Sequence, residues 1–575
     1  MKRKILSAVL GAVLTLGALT ASVSAEETRS VSAEQYLAAK LPTLISNTGM
    51  NNYTNSNRWA RPVTSYLTTA DGGYMRVQSD SANSRVLVEY YTKDFTLKSS
   101  KTIKYELPVF GAFYETEDNY YILSGQKNPA ESNSAEVFRV TKYDKSWKRV
   151  SAASLYGERT VIPFDAGCAR MAHSGSTLVI RTCHEMYTSS DGKNHQANVT
   201  ISINTDTMTV TEANTEVENY GTGYCGHSFN QFIIYDGENF VGVDHGDAYP
   251  RSVVLNKWAA DFDYEEYDRQ NPTPWFSTPD NPYWRWIIDP EKSDPSSGRT
   301  SYTLGDPRQL AEVSMLDISG STGDNDTGVT VGGFEVSGSS YIVAGTTIDQ
   351  NKFGSAATRN IFVSVIDKNC TSGSKPVITK ITNYAEGQPS PSNPQLVKLA
   401  DNKFILMWTY KTSSSAQNKI YYTELNGKGE AVGKRYSFTG ELSDCQPIVS
   451  DGNILWYVCD RNKIGFYSIS TSDLSKNNVS EIYTEKPAKV SDYGIEKLRS
   501  KNSVKFNWRA ADRAASYIIK YSTDGKSWKT VTSDSNTCTI KKLKAGTKYY
   551  IKIAAKNSAG TSDYCSVFTI TTKKK

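Results

Sequence analysis

One β-hairpin pattern recurs along this chain and limits what the chain can fold into. The clearest copy, Asp444 to Asp460, reads DCQPIVSDGNILWYVCD: an apolar run, a Ser-Asp-Gly-Asn turn and a second apolar run. Variants return at intervals of about fifty residues, a period typical of propellers and other repeat arrays. The pattern therefore predicts a chain built mainly from short antiparallel strands.

Seven copies of the hairpin can be read in the sequence. Their leading strands follow Gly72, Asp118, Ser174, Asp236, Ser337, Asp401 and Asp451. One such unit cannot bury both of its faces, whereas a ring of units can. We therefore predict an all-β fold with a seven-bladed β-propeller over residues 55–485, which resembles the propellers of exported bacterial proteins. The last copy is short of an outer strand, and the N-terminal segment, residues 26–54, is expected to complete it.

The first 25 residues have the features of a signal peptide. Lys2, Arg3 and Lys4 precede an apolar segment, and Val23-Ser24-Ala25 has the small-residue pattern of a cleavage site. No other stretch is long and apolar enough to cross a bilayer. The sequence predicts a secreted or envelope-associated protein of a bacterial cell.

The C-terminal residues 486–575 contain three motifs of a small β-sandwich. Lys505-Phe-Asn-Trp508 matches a second strand with a buried tryptophan, and Leu543 to Tyr549 matches a tyrosine-corner segment. Asn557-Ser-Ala-Gly560 matches the turn before a last strand. With these motifs the region resembles a fibronectin type III domain, which implies a β-sandwich behind the propeller. In exported bacterial proteins, such modules act as spacers or adhesive units, often beside carbohydrate-active domains.

Charge is divided unevenly between these two regions. The net charge is +5, but residues 486–575 hold 20 Lys/Arg and 6 Asp/Glu, which leaves residues 26–485 acidic. A basic module of this kind can remain bound to an anionic cell-envelope polymer. The alternative is a solvated lysine surface that keeps the protein soluble. No nucleic-acid recognition motif accompanies the basic residues, so nucleic acid is not an expected partner.

Four cysteines flank two of the hairpin turns almost symmetrically. Cysteines that face each other on paired strands can reach disulfide distance, and export provides an oxidising compartment. The spacing predicts the bridges Cys168–Cys183 and Cys445–Cys459, with four free thiols as the alternative. The remaining cysteines have no evident partner: Cys225, Cys370, Cys538 and Cys565.

An aromatic insertion, residues 259–328, interrupts the repeats between the fourth and fifth copies. It contains Trp275, Trp284 and Trp286 among Pro, Asp and Asn residues. A long loop is usually functional or disordered, and this aromatic content argues against disorder. We expect a cap over one propeller face whose tryptophans contact a ligand or, alternatively, only attach the insertion to the blades.

All five histidines fall between residues 173 and 245. Two adjacent repeats place histidines and carboxylates where a strand leaves a blade, so the groups are expected to lie near each other. A histidine paired with a carboxylate can transfer a proton, and Tyr or Arg nearby can bind an acidic sugar. The candidates are His184, Glu185, His195, His245 and Asp247 for catalysis, with Tyr249 and Arg251 for ligand binding.

Two other interpretations of the histidines remain open. The spacing matches no compact metal motif, and the oxygen-rich loop 323–328 lacks a complete calcium-loop pattern, so no metal and no cofactor are predicted. The histidines can also be structural groups that hydrogen-bond strand ends. The leading prediction is a secreted or surface binding protein with a glycan or host-surface ligand on the propeller face. The alternatives are an extracellular glycoside hydrolase or polysaccharide lyase, and a structural spacer.

Overall fold

The computed structural model describes most of the chain. The described residues are 41–48, 62–215, 227–248, 250–271, 285–288, 296–297, 302–352, 358–413 and 416–574. The predicted signal peptide lies outside them. Within them, strands dominate and the single α-helix is α1 (Tyr264–Gln270).

Seven consecutive antiparallel sheets, here numbered sheet 1 to sheet 7, occupy the region before the C-terminal module. Each pairs its strands in the order of the chain. Sheet 1 contains β1 (Ser65–Ala70), β2 (Gly73–Asp80), β3 (Arg85–Tyr91) and β4 (Leu97–Lys104). Sheet 2 contains β5 (Val109–Glu115), β6 (Asn119–Gly125), β7 (Glu136–Asp144) and β8 (Arg149–Tyr156).

Sheets 3 and 4 have additional elements. Sheet 3 contains β9 (Thr160–Pro163), β10 (Arg170–Ser174), β11 (Thr177–Thr188), β12 (Asn194–Asn204) and β13 (Thr209–Asn214), and β9 pairs with the end of β11. Sheet 4 contains β14 (His227–Tyr235), β15 (Asn239–Ala248), β16 (Ser252–Ala259) and β19 (Gln309–Asp317). Between β16 and β19 lie α1 and a separate pair, β17 (Arg285–Ile288) and β18 (Tyr302–Gly305).

Sheets 5 to 7 are simple four-stranded meanders. Sheet 5 contains β20 (Val329–Val336), β21 (Ser340–Thr347), β22 (Asn360–Asp367) and β23 (Val377–Lys380). Sheet 6 contains β24 (Ser392–Ala400), β25 (Lys403–Tyr410), β26 (Lys419–Asn426) and β27 (Ala431–Thr439). Sheet 7 contains β28 (Ile448–Ser450), β29 (Asn453–Cys459), β30 (Lys463–Ser470) and β31 (Asn477–Tyr483).

The recurring hairpin of the sequence forms the first two strands of a sheet, as β28 and β29 do in sheet 7. In sheets 1 and 7 the turn before the second strand is Asp-Gly with both residues at positive φ, 49° and 71° in each case. Positive φ at both positions is the geometry of a type I′ turn, whose twist matches that of paired strands. The Asp71-Gly72 and Asp451-Gly452 dipeptides therefore fix the register of their hairpins.

The second strands are buried on both faces. All eight residues of β2 and all ten of β15 are buried, polar ones included. A strand of one isolated sheet would expose alternate residues, so burial at every position means that each sheet packs between two others. This explains why the apolar runs in the sequence are continuous rather than alternating.

Contacts between the sheets follow a cyclic order. The first strands of sheets 2 to 7 contact one another in succession, and β28 of sheet 7 contacts β1 of sheet 1. Sheets 1 and 2 meet through Tyr66, whose ring lies 5.4 Å from that of Phe113. The largest apolar cluster contains residues of sheets 6, 7 and 1 together. The last sheet therefore packs against the first.

A buried ion pair stabilises the contact between sheets 1 and 7. Arg76 and Glu89 are fully buried in sheet 1 and lie 2.8 Å apart, from Nη1 to Oε2. The guanidinium also lies 5.0 Å from the ring of Tyr457 in sheet 7 and donates to the carbonyl of Thr43. The ion pair thus binds the N-terminal segment and the last sheet at the same time.

Asn47 gives the N-terminal segment a second attachment to sheet 7. Its amide N–H donates to the carbonyl of Cys459 over 3.1 Å, and its carbonyl accepts from the amide of Asp444 over 3.2 Å. Its side chain donates to Ser65 and Ser443. The predicted completion of the last sheet by this segment is wrong, because sheet 7 already has its own outer strand, β31. The segment instead lies across the junction of sheets 7 and 1.

The insertion is shorter than the predicted 259–328. Residues 309–317 form β19, the outer strand of sheet 4, so the segment outside the sheets that joins β16 to β19 is 260–308. β19 alternates buried and partly exposed residues over most of its length, as an outer strand should. The prediction missed this strand because the aromatic and polar residues before it dominate the segment.

The C-terminal module is a sandwich of two sheets. One contains β32 (Glu496–Arg499), β33 (Val504–Asn507) and β36 (Thr537–Ile540). The other contains β34 (Ser516–Ser522), β35 (Lys529–Ser533), β37 (Lys548–Asn557), β38 (Gly560–Thr561) and β39 (Phe568–Thr571). Trp508 is 3% exposed and packs edge-on against Tyr517 in the core. The Tyr549 hydroxyl accepts from the Lys544 amide over 3.0 Å, which confirms the tyrosine corner.

The turn at residues 557–560 joins the sandwich to sheet 7. The side-chain amide of Asn557 donates to the carbonyls of Glu485 and Arg513, over 2.8 and 2.9 Å. The Tyr483 amide at the end of β31 donates to the Ser558 hydroxyl. The short link between the two regions is therefore held by one polar turn.

The buried ion pair gives a test of this arrangement. Glu89→Gln would leave the Arg76 guanidinium buried without a countercharge, which typically costs about 3–5 kcal/mol. We expect a loss of this size in the free energy of unfolding, measured by urea denaturation. Glu386→Gln is the matched control, because Glu386 forms only an exposed 4.0 Å pair with Lys352 and should cost less than about 1 kcal/mol. Equal effects of the two variants would contradict the proposed role of Glu89.

Candidate functional site

His184 is held as a structural group in β11. It is fully buried, with Nδ1 2.6 Å from the Thr160 hydroxyl and Nε2 2.7 Å from the Thr215 carbonyl. Because a carbonyl can only accept, Nε2 carries the proton and Nδ1 accepts from Thr160. Burial lowers the pKa of His184 to about 3. Glu185, the next residue, points to the opposite face of the strand, so these two do not form an acid/base pair.

His195 is the second residue of β12, next to the turn from β11, and is partly exposed. Its Nε2 is 3.0 Å from an Asp191 carboxylate oxygen. Hydrogen bonds from the Ser189 hydroxyl and the Lys193 amide lower the pKa of Asp191 to about 2. His195 and Asp191 are thus a surface pair on the rim of the hairpin, while His184 lies inside the sheet.

His245 and Asp247 share one face of β15 and are both buried, at 1% and 0% exposure. His245 Nε2 lies 2.8 Å from the Thr327 hydroxyl, and the imidazole contacts the edge of Phe229. Burial lowers the pKa of His245 to about 3 and raises the pKa of Asp247 to about 6. The two groups are chemically suited to proton transfer, but neither side chain reaches solvent in this structure.

Arg251 binds the loop that carries the oxygen-rich sequence 323–328. Its guanidinium donates to the main-chain carbonyls of Ser319, Asp324 and Asp326, the first over 2.9 Å and the last over 2.8 Å. The loop carbonyls that a cation would use are thus turned toward an arginine. Among the described residues, no group of three or more His, Cys, Asp or Glu side chains is arranged to hold a metal ion.

The predicted ligand-binding aromatic residues are only partly placed. Tyr249, Trp275 and Trp284 lie outside the described residues, and for Trp286 the structure describes only its place in β17. The insertion does leave sheet 4 at Ala259, which pairs with Asn239 at the start of β15. His245 lies six residues further along β15, roughly 20 Å away at 3.3–3.4 Å per residue. The insertion and the histidines thus start from opposite ends of sheet 4.

The predicted disulfides are not found. All seven described cysteines are free thiols, and the eighth, Cys225, lies outside the described residues. Cys168 lies ahead of β10, and its sulfur contacts Asn230 and Arg170, while the Cys183 thiol donates to the Asp165 carbonyl over 2.9 Å. Cys445 lies in the loop before β28 rather than opposite Cys459. The four sulfurs are therefore used in separate buried contacts.

A cavity of about 100 Å³ lies between sheets 3 and 4, at the end from which the insertion leaves. The sheet 4 side is aromatic, with Phe240 and Trp258 from the strands and Phe262 from the start of the insertion. The sheet 3 side is mostly polar, with Thr177, Thr200, Ser202 and Thr211 beside Val179. Facing walls of rings and hydroxyls distinguish this cavity from a packing gap in an apolar core.

A carboxylate and a guanidinium complete the cavity. Glu212 accepts from the Ser202 hydroxyl over 3.1 Å and pairs with Arg308, which also pairs with Asp306 over 2.6 Å. Burial raises the pKa of Glu212, although the Arg308 charge acts in the opposite direction. Arg308 stands at the return of the insertion to sheet 4. The pair of Arg308 with Glu212 therefore attaches the returning end of the insertion to sheet 3.

Sequence reasoning missed this cavity. Its lining comes from residues between 177 and 308 that are adjacent only in the folded structure. One signal was available: Trp258 and Phe262 flank the point where the repeat pattern stops. A cluster of large rings at the root of an insertion favours contact with something other than the sheet itself.

Comparison with known proteins identifies the C-terminal module. Residues 489–571 match the family model of the fibronectin type III domain, and they form such a domain. The solved structure of FN3tt is 20% identical over 16% of this chain and 100% of its own, with a TM-score of 0.15. The FN5 domain of Drosophila Lar is 19% identical over 15% of this chain and 97% of its own, with a TM-score of 0.14. No curated protein matches the chain.

His184 predicts a pH dependence of stability. Its pKa is about 3 in the folded protein and about 6.5 when unfolded, so the unfolded chain binds the extra proton as the pH falls below 6.5. Stability from this group is present above that pH and is lost toward pH 3, by about 1.4 kcal/mol per pH unit. We expect His184→Gln, measured by urea unfolding from pH 7 to pH 4, to show a shallower decline than wild type. His195→Gln, a partly exposed control, should follow the wild-type curve. Equal slopes for all three proteins would contradict the assignment.

Proposed function

We propose that this chain is an exported or cell-surface binding protein whose seven sheets form a seven-bladed β-propeller. In this proposal, the face that carries the insertion binds a glycan. The observation that carries the proposal is the cavity between sheets 3 and 4, with aromatic rings on one wall and hydroxyls and a carboxylate on the other. Fibronectin type III domains are common in extracellular binding and adhesion proteins, which fits this location.

The cyclic order of sheet contacts supports the propeller. In a propeller, the first strand of each blade lines the axis and touches the first strands of both neighbours. The groups that shift the pKa of Tyr66 agree with a propeller arrangement. Burial raises the pKa of Tyr66 in sheet 1, and the charges of Asp444, just before sheet 7, and Arg170 in sheet 3 also act on it. Residues of sheets 1 and 3 and the residue before sheet 7 would come this close to one another if the sheets surround a shared axis.

The composition of the cavity matches carbohydrate chemistry. Sugars present C–H faces, which pack on aromatic rings, and hydroxyl groups, which exchange hydrogen bonds with carboxylates and threonines. A volume of about 100 Å³ corresponds to roughly three water molecules, less than a typical pocket for a whole ligand. A glycan would therefore insert one terminal group here and extend along the insertion.

The alternatives have weaker support. A hydrolase or lyase would need an accessible acid/base pair, whereas His184 and His245 are buried and neutral at physiological pH. A purely structural spacer role would not explain a partly polar cavity at the point where the aromatic insertion begins.

Within the described residues, no helix is long and apolar enough to span a bilayer.

A glycan array with the mature protein tests this function. Phe262→Ala removes one ring at the edge of the cavity, and Glu212→Gln removes the carboxylate charge. We expect each to weaken the strongest glycan signals about tenfold, which corresponds to about 1.4 kcal/mol. Tyr493→Ala, which removes an 86% exposed ring in the sandwich, is the control and should bind like wild type.

The same samples separate the alternatives. Released reducing ends, measured in parallel, are expected to stay at background for wild type, His184→Ala and His245→Ala. Turnover by wild type that disappears in His245→Ala would show that the protein is an enzyme rather than a binding protein. Binding to a panel of surface proteins but to no glycan would show that the ligand is a protein. Equal glycan binding by all variants would show that the binding site lies outside the cavity.

A further inference from the structure

The sandwich exposes one face that is basic and aromatic. The face is formed by the outward positions of β34, β35, β37 and β39; the inward positions of the same strands fill the core of the domain. The residues on this side of the sheet, of which only Ser522 and Ala554 are buried, are Ser516, Ile518, Lys520, Ser522, Thr530, Thr532, Lys548, Tyr550, Lys552, Ala554, Lys556, Thr569 and Thr571. Four are lysines and none is acidic, so the four strands contribute charge of one sign only.

Two lysines of this face oppose each other directly. Lys520 and Lys552 are cross-strand partners of β34 and β37. Their ammonium nitrogens lie 5.4 and 4.9 Å from the centroid of one ring, that of Tyr564. Like charges directly opposite in a sheet are destabilising. The sequence thus retains an arrangement that folding alone disfavours.

Aromatic rings lie between the lysines along the face. The Lys552 ammonium is 4.4 Å from the Trp528 ring, and the Lys548 ammonium is 5.1 Å from the Tyr550 ring. Trp528, Tyr550 and Tyr564 are all partly exposed. Rings that are held beside cations and open to solvent can contact the flat face of a ligand while the cations contact its charge.

No carboxylate of the described chain neutralises these lysines. The ion pairs within or at the edge of the sandwich are Lys489–Asp492 and Arg513–Glu485, neither of which belongs to the face. Residues 486–575 also carry the chain's large excess of Lys and Arg, 20 against 6 Asp and Glu. Among the described residues, no carboxylate forms an ion pair with the four lysines, so the face is a concentrated positive surface.

We propose that this face binds an acidic polysaccharide, with Lys520, Lys548 and Lys552 pairing with its carboxylates and Trp528, Tyr550 and Tyr564 packing on its sugar rings. Lys548 and Lys552 lie four residues apart on one strand, about 13 Å at 3.3 Å per residue, with Tyr550 between them. Cations that alternate with rings over this length fit an extended polymer better than a single small anion. The site is separate from the cavity between sheets 3 and 4 and does not depend on it.

The test compares two triple variants of the mature protein with the same change in charge. Lys520→Gln, Lys548→Gln and Lys552→Gln remove charge from the face. Lys541→Gln, Lys542→Gln and Lys544→Gln remove it from an exposed loop between β36 and β37. With polygalacturonate as the probe at 50 mM salt, we expect the first set to weaken binding at least tenfold and the second set at most twofold. Equal losses would overturn the proposal, because net charge alone would then explain binding.

Other probes establish the class of partner. Poly-glutamate has the carboxylates without the sugars, and single-stranded DNA has phosphates with bases. We expect wild type to bind polygalacturonate at least fivefold more tightly than either. We also expect Trp528→Ala to weaken polygalacturonate binding but not poly-glutamate binding. Tighter binding of DNA, or a Trp528→Ala effect that is the same for both carboxylate polymers, would contradict an acidic polysaccharide as the partner.

Discussion

The arrangement of the seven sheets depends on the contact between the first and the last. Arg76 and Glu89 form a fully buried ion pair in sheet 1, and the guanidinium also faces Tyr457 of sheet 7. Ionised groups are costly to bury, and their mutual attraction compensates only when geometry is good and further partners are present. Thr43 supplies such partners, because its amide and carbonyl contact Glu89 and Arg76. The contact between sheets 1 and 7 and the burial of this charge thus depend on the same residues.

Close packing also determines which side chains a ligand can reach. The sequence indicates His184 and His245 as candidate acid/base residues because each lies near a carboxylate in the chain. Burial keeps both imidazoles neutral, and each contacts a threonine hydroxyl. Glu212 is also largely buried, but it borders an open cavity. Access, rather than residue type, is therefore the reason why the proposed glycan site lies at the junction of sheets 3 and 4.

Much of the local structure could be predicted from sequence, because it depends on neighbouring residues. The Asp451-Gly452 turn fixes a hairpin, and Trp508 and Tyr549 define the sandwich through contacts within one module. The bridging role of Asn47 could not be predicted, because its partners lie about 400 residues away. The cavity could not be predicted for the same reason. The outer strand β19 could have been found, since QLAEVSMLD is mostly an alternating run between polar loops.

The bridging position of residues 43–47 has a consequence for how the chain acquires its structure. These residues are made early, but their partners in and before sheet 7 are made about 400 residues later. Contacts between such distant parts of a chain form slowly, because a long loop must be closed before they are gained. Until then the edges of sheets 1 and 7 remain uncovered and able to pair wrongly. The junction of sheets 7 and 1 can therefore form only after sheet 7 has been made.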